Sequence, residues 1–345
     1  MRWLLRWFRG AYRSKASRTT SPAAATTRPT PEKRAEVDTS VFEMSEVWDY
    51  PAEQRDELVG TSGLALAVQE QLANFLAEHE SVLPAFPSVA GQVFELLDNP
   101  EFEMTRLVGL IQRDSVMSTE VIRVANSALF GGTREVLSVR DAVVKVGAQQ
   151  VANIAAAASA RSLFDLEARA GHQEFAELWQ DLWLHSMTCA SSAFWVADEL
   201  RLENQRYAYL AGMLHDIGKA FSLWGLSRMV IARVVPAPMP ELTRMIIEQN
   251  HVEAGRLVAG SWQIPDVLKR TITDHHELSK DQDPLIPTIG ILSSLNEMRR
   301  NPAYPTSFEA EVRRAVLLLD LAPPRLRSIV SRLRDGEKNA RALTL

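Results

Sequence analysis

From Leu64 to about residue 300 the apolar side chains recur at helical spacing with almost no break. Val68, Leu72, Phe75 and Leu76 share one face; Val89, Val93, Leu96 and Leu97 share another; Met104, Leu107, Val108 and Ile111 share a third. Sustained alternation at period two is missing, which excludes sheet architectures and predicts an all-α helical bundle. The ambiguous stretch is Met229 to Val235, whose β-branched run would suit a short strand, although helix is the preferred reading. Sixteen glycines and seventeen prolines in 345 residues are few enough to leave long helices uninterrupted.

Local signals divide the bundle. Pro87 suits the first turn of a helix, and Ser138 with Asp141 resembles a capping box opening a helix that Gly147 closes. A boundary near Phe164 to Gly171 predicts two packed sub-bundles, 64–165 and 171–300, followed by a helical extension over 301–345. The Ala-rich stretch Val151 to Ala160 permits close helix contact and suits either the join between sub-bundles or a dimer surface.

Charge separates the start of the chain from the rest. Residues 1–34 carry nine Lys or Arg against one acid, Glu32, whereas the remaining residues are strongly acidic and bring the whole chain to -5. An acidic body is a poor generic nucleic-acid binder, because phosphate contacts need concentrated cationic surface. Within residues 1–13, Trp3, Leu4, Trp7, Phe8 and Ala11 form an apolar stripe opposite Arg2, Arg6, Arg9 and Arg13. Such a helix suits peripheral contact with an anionic membrane surface; a disordered basic start or an organelle transit peptide shares the composition, and these readings stay open. Residues 14–45 read as a disordered linker: from Ser14 to Ser40, 18 of 27 residues are Ser, Thr, Pro or Ala. No apolar run is long enough for a transmembrane helix. A cytoplasmic position is expected. A single cysteine, Cys189, excludes an internal disulfide framework; its small neighbours Thr188, Ala190 and Ser191 suggest inert burial.

Five of the seven histidines fall between residues 185 and 276, each inside an apolar, helix-patterned segment. Buried imidazoles need partners, so this placement implies a polar network kept for packing or a shared metal. The centre is His215-Asp216-Ile217-Gly218-Lys219. Neighbouring side chains on a helix diverge by about 100°, so His215 and Asp216 share an ion only if it lies between them and other helices complete its shell. His185 is the obvious third ligand. Imidazole with carboxylate suits manganese, iron, zinc or magnesium. Lys219, one turn beyond His215, is placed to hold a phosphate oxygen near that ion. Its neighbours give the candidate catalytic pair Asp216 and Lys219.

His185 followed by His215-Asp216 and a late polar residue resembles the HD phosphohydrolase superfamily. Leu83-Pro84-Ala85-Phe86-Pro87, Ala125 to Gly131, Ser138 to Gly147 and Leu214 to Lys219 resemble, in order, the segments of the HDOD domain, the HD-related output domain of bacterial signalling proteins. His251 to Pro265 and Asp274-His275-His276-Glu277 extend the similarity over roughly residues 66–300. The resemblance implies an HD-like fold in which many members have lost metal ligands and act by binding signalling partners, often in cyclic di-GMP pathways. It implies that His185, His215 and Asp216 are first ligands and that His251, His275 and His276 match the extra histidines of HD-GYP phosphodiesterases. The last superfamily ligand, an aspartate, is matched by Asn296, and the GYP tripeptide is missing. A carboxamide keeps an oxygen donor but not its charge, which weakens cation binding. Glu297, pointing about 100° away on a helix, is expected to be a poor substitute. Of the histidine pair, one imidazole is expected to face the core and the other solvent. Two readings are carried forward: a signalling module that acts by binding protein or ligand, and a metal-dependent phosphohydrolase acting on a nucleotide or cyclic dinucleotide.

Overall fold

The computed structural model describes residues 63–79, 86–98, 104–127, 130–131, 135–164, 175–300 and 306–344. The expected basic helix at 1–13 and linker at 14–45 lie outside the described residues. Among those described there are fourteen α-helices and no strand, the all-α bundle that the apolar spacing demands.

Helix α1 (Gly63–Glu78) buries Val68, Leu72 and Leu76, the face read from the sequence. Helices α2 (Ser88–Asp98), α3 (Met104–Gln112), α4 (Ser115–Ala125), α5 (Val139–Val146) and α6 (Ala148–Ala160) form the first group. On α3, Leu107, Val108 and Ile111 are buried while Met104, in the first turn, stays 47% exposed. Asp114 caps α4 by accepting a hydrogen bond from Met117 N at 3.0 Å. Ser138 caps α5 by accepting one from Asp141 N at 3.1 Å, and Gly147, at φ 88°, ends that helix in a conformation open to glycine. The alanines of α6 let it pack against α2, α4 and α5 on one side and against α8 on the other, so this stretch joins the two groups.

The second group comprises α7 (Ala176–Glu199), α8 (Ala208–Leu214), α9 (Ile217–Ile231), α10 (Pro240–Gly260), α11 (Asp266–Asp274) and α12 (Leu285–Arg300). Helix α1 lies on this group, against α9 and α10. The ambiguous stretch is helical only to Ile231; Arg233, at φ 57°, turns the chain and Val235 tucks into the core beyond it. Two further helices, α13 (Thr306–Leu318) and α14 (Pro323–Thr344), pack on α12 and α7 respectively. No helix among the described residues is long and apolar enough to cross a membrane.

Candidate metal centre

Two close helix crossings and one helix break assemble the site. A Cβ on Gly212 would meet the backbone of Cys189 and Ala190 at 2.6–2.7 Å, so only glycine lets α8 lie directly on α7 and bring His215 beside His185. A Cβ on Gly218 would stand 1.8 Å from the His251 carbonyl oxygen, so the same device presses α9 onto α10 and brings His251 to Asp216. Between these crossings the chain breaks from α8 into α9, with His215 ending one helix and Asp216, at φ -100° and ψ 18°, opening the next. The break is why two adjacent side chains face one point.

Asp216 is fully buried and presents its two oxygens to different neighbours. On the Oδ2 side, His185 Nε2 lies at 3.2 Å, His215 Nε2 at 3.4 Å and Lys219 Nζ at 2.8 Å. The two imidazole nitrogens are 3.1 Å apart, and Ser293 Oγ stands 3.1 Å from that of His215. On the Oδ1 side, His275 Nε2 lies at 3.4 Å and His251 Nε2 at 3.5 Å, with His276 Nε2 3.1 Å from His251 Nε2. The four donor atoms of Asp216, His251, His275 and His276 lie within 4.8 Å of one another.

The far nitrogens of these rings are already committed. His215 Nδ1 donates to Gly212 O at 2.9 Å, His251 Nδ1 to Glu248 O at 2.5 Å and His275 Nδ1 to Thr271 O at 2.9 Å. Donation from Nδ1 leaves Nε2 as a bare lone pair aimed at the carboxylate, the tautomer a metal ligand requires. His276 Nδ1 meets the Glu311 carboxylate at 2.8 Å, a carboxylate-imidazole arrangement that orients a ligating ring. Burial pushes the pKa of His251 down to about 4 and those of His215 and His275 below the ordinary histidine value, so these rings are neutral at pH 7. Burial opposes charge on His276 as well, but Glu311 outweighs it and raises that pKa.

A divalent ion fits this arrangement. His275 Nε2 and both oxygens of Asp216 are buried with no hydrogen-bond partner, Oδ2 facing the Lys219 ammonium at 2.8 Å as an ion pair. Lone pairs converging on a carboxylate with no proton between them call for a cation. The donor set, three imidazoles and one carboxylate oxygen, suits zinc, manganese or iron.

Several expectations change at this point. Both members of the histidine pair face the site rather than one facing solvent, because His275 ends α11 and His276 follows in a turn, their ring centroids 4.1 Å apart. Asn296 meets His185 at Nδ1, 2.9 Å away, and not at the Nε2 that faces Asp216. With the amide turned so that Oδ1 accepts the ring N–H, the oxygen gains the partner it otherwise lacks and the amide orients His185. Glu297, set aside on the sequence, reaches the site: Oε1 lies 3.3 Å from His185 Nδ1 and 3.6 Å from Lys219 Nζ. Ser293, Asn296 and Glu297 stand at i, i+3 and i+4, so they form one face of α12 turned to the cluster. Cys189 is buried as expected, with its Sγ 3.7 Å from His185 Nε2. Lys219 is held by Asp216 and by Glu248 Oε2, each at 2.8 Å; burial opposes its charge, but these carboxylates and Glu297 lift its pKa well above the ordinary lysine value.

The sequence reading overlooked Glu248 and Glu311. Glu248 stands one turn before His251, a spacing that is legible in retrospect. Glu311 lies on α13, 35 residues beyond His276, and also accepts from Ser294 Oγ at 2.8 Å; no local signal marks it.

Known proteins share this fold. An uncharacterized protein of Treponema pallidum (strain Nichols) is 24% identical over 229 residues, 64% of this chain; the chain spans 43% of that relative's length. A crystal structure from Shewanella amazonensis SB2B, named as a candidate metal-dependent phosphohydrolase, has the same fold at TM-score 0.62 and 19% identity over 79% of this chain and 99% of the other. An HDOD domain protein of unknown function from Geobacter sulfurreducens matches at TM-score 0.58 and 20% identity, over 79% of this chain and 97% of its own. The HDOD domain model matches residues 83–278, more than half of the sequence, and the chain therefore belongs to the HDOD domain family.

Proposed function

We propose that this protein is a bacterial signalling module that holds a divalent ion at Asp216, His251, His275 and His276 and acts by binding a protein or ligand partner rather than by hydrolysis. The observation that carries this reading is the engagement of Lys219. A lysine that is to stabilise charge on a phosphate must have its ammonium free to meet an anion. Here Nζ is 2.8 Å from Asp216 and from Glu248 and 3.6 Å from Glu297. Glu248, Glu297, Glu311 and His276 border the buried centre and are partly exposed, so three carboxylates adjoin it, a setting that repels a phosphodiester. A cyclic di-GMP pathway link and a position in the cytoplasm, with peripheral membrane contact through residues 1–13, are consistent proposals carried from the sequence.

The complete ligand set favours a second reading, a metal-dependent phosphohydrolase. When bound, the ion would supply a Lewis acid and an acidified water. Asp216 and the three imidazoles would hold it, while Lys219 would have to leave its carboxylates to meet substrate. The test is to assay the full chain with manganese and cyclic di-GMP, and with a simple phosphodiester ester as a second substrate. Retained ion without product above a protein-free blank is expected. Turnover that disappears in Asp216→Ala would establish the hydrolase instead.

A further inference from the structure

We propose that Lys219 is the resident cation of the Asp216 Oδ2 side, so that the site accepts one divalent ion, on the Oδ1 side, and excludes a second. The inference rests on the metal-holding reading above. It starts from a symmetry in the donors: each oxygen of one carboxylate faces its own set of imidazoles. On the Oδ2 side, His185 Nε2, His215 Nε2 and Oδ2 are 3.1–3.4 Å apart. Donors at about 2.0–2.1 Å from a shared ion subtend roughly 100–110° at that spacing, close to tetrahedral. Geometry alone would therefore admit an ion on both sides.

Charge breaks the symmetry. Lys219 Nζ stands 2.8 Å from Oδ2 and occupies the electrostatic place an ion would take. It has no room to retreat, because its residue is only 4% exposed and its ammonium is gripped from behind by Glu248 at 2.8 Å and Glu297 at 3.6 Å. A divalent ion entering beside it would share one carboxylate oxygen with a like charge in a buried setting, where such repulsion is screened least. Asn296 deepens the deficit, since on this side it brings a neutral amide to His185. The Oδ1 side has the opposite balance. Three imidazoles converge there, the nearby anions are Asp216 itself, Glu311 behind His276 and Glu248 behind His251, and His275 Nε2 has no hydrogen-bond partner, whereas the Nε2 atoms of His185 and His215 meet each other and Ser293. Lys219 thus sets how many ions the centre takes and which side they enter.

The experiment counts manganese(II) per chain, by elemental analysis after gel filtration, in full-length wild type, Lys219→Arg and Lys219→Met, with electron paramagnetic resonance as a second readout. Wild type and Lys219→Arg should retain one ion with the spectrum of an isolated centre. Lys219→Met should retain two, with the broadened spectrum of a coupled pair bridged by Asp216. Should Lys219→Met fail to fold, Lys219→Met/Glu248→Gln removes one charge of each sign and serves the same count. Two ions in wild type, or one ion in the Met variants, overturns the role of Lys219 and leaves the metal reading standing. No ion in wild type overturns the metal reading itself.

Discussion

Helices α2–α6 and α7–α12 are built from the same apolar periodicity, yet their interiors differ in kind. In α2–α6 the buried side chains are aliphatic, and among the described residues Asn153 is the one buried polar side chain there. In α7–α12 the core encloses His185, His215, Asp216, Lys219, His251 and His275. The first interior is held by burial of apolar surface, which is non-directional and tolerant of repacking. The second is held by charges whose desolvation must be offset by partners from several helices at once. The difference teaches that the two groups fail differently: one through lost volume, the other through a lost partner.

The sharpest break should come from Asp216→Ala. It leaves the ammonium of Lys219 and five imidazoles around an absent carboxylate, and breaking a buried pair of this kind costs about 3–5 kcal/mol. Urea denaturation should show that loss together with disappearance of bound ion; a change under about 1 kcal/mol would mean the cluster contributes to neither. Next in size, Leu107→Ala in the fully buried face of α3 should cost about 2–5 kcal/mol through cavity formation. That loss should be the same with and without a chelator, since no ion touches α3; chelator dependence would erase the distinction between the two interiors. Smaller again, Glu311→Ala removes the carboxylate behind His276 and should weaken ion binding by roughly 10- to 100-fold with little effect on folding. Glu311→Gln, which keeps an acceptor for the ring N–H, should lose less. Isothermal titration with zinc or manganese reads both, and equal affinity in wild type and Glu311→Ala would remove the carboxylate from the site.

How much was legible in the sequence follows from the range of each signal. The buried faces of α1 and α3, the capping of α5 by Ser138 and the close packing of the α6 alanines are consequences of spacing within one helix, and they were readable. His185, His215, Asp216, His251, His275 and His276 were readable as candidates because histidines in apolar segments are anomalous. Glu297 was set aside by an argument valid for adjacent residues on one helix, but Asn296 and Glu297 both lie on the face that Ser293 shares, one turn on, and both reach His185. One imidazole of the His275-His276 pair was expected in solvent, but the helix ends at Asp274 and both face the site. Glu311 carried no signal at all, since its partner lies on another element.

The chain alone therefore determined the helices, their apolar faces and the set of groups with ligand chemistry, because periodicity and residue type are local properties. Tertiary structure alone decided which atom of each group meets which: Nε2 rather than Nδ1, Oδ1 rather than Oδ2, Lys219 turned to carboxylates rather than to an open site. Those choices depend on helix crossings at Gly212 and Gly218 that bring residues tens of positions apart within a few ångströms. Electrostatic balance in a buried site is a sum over such neighbours, and no single helix contains the terms.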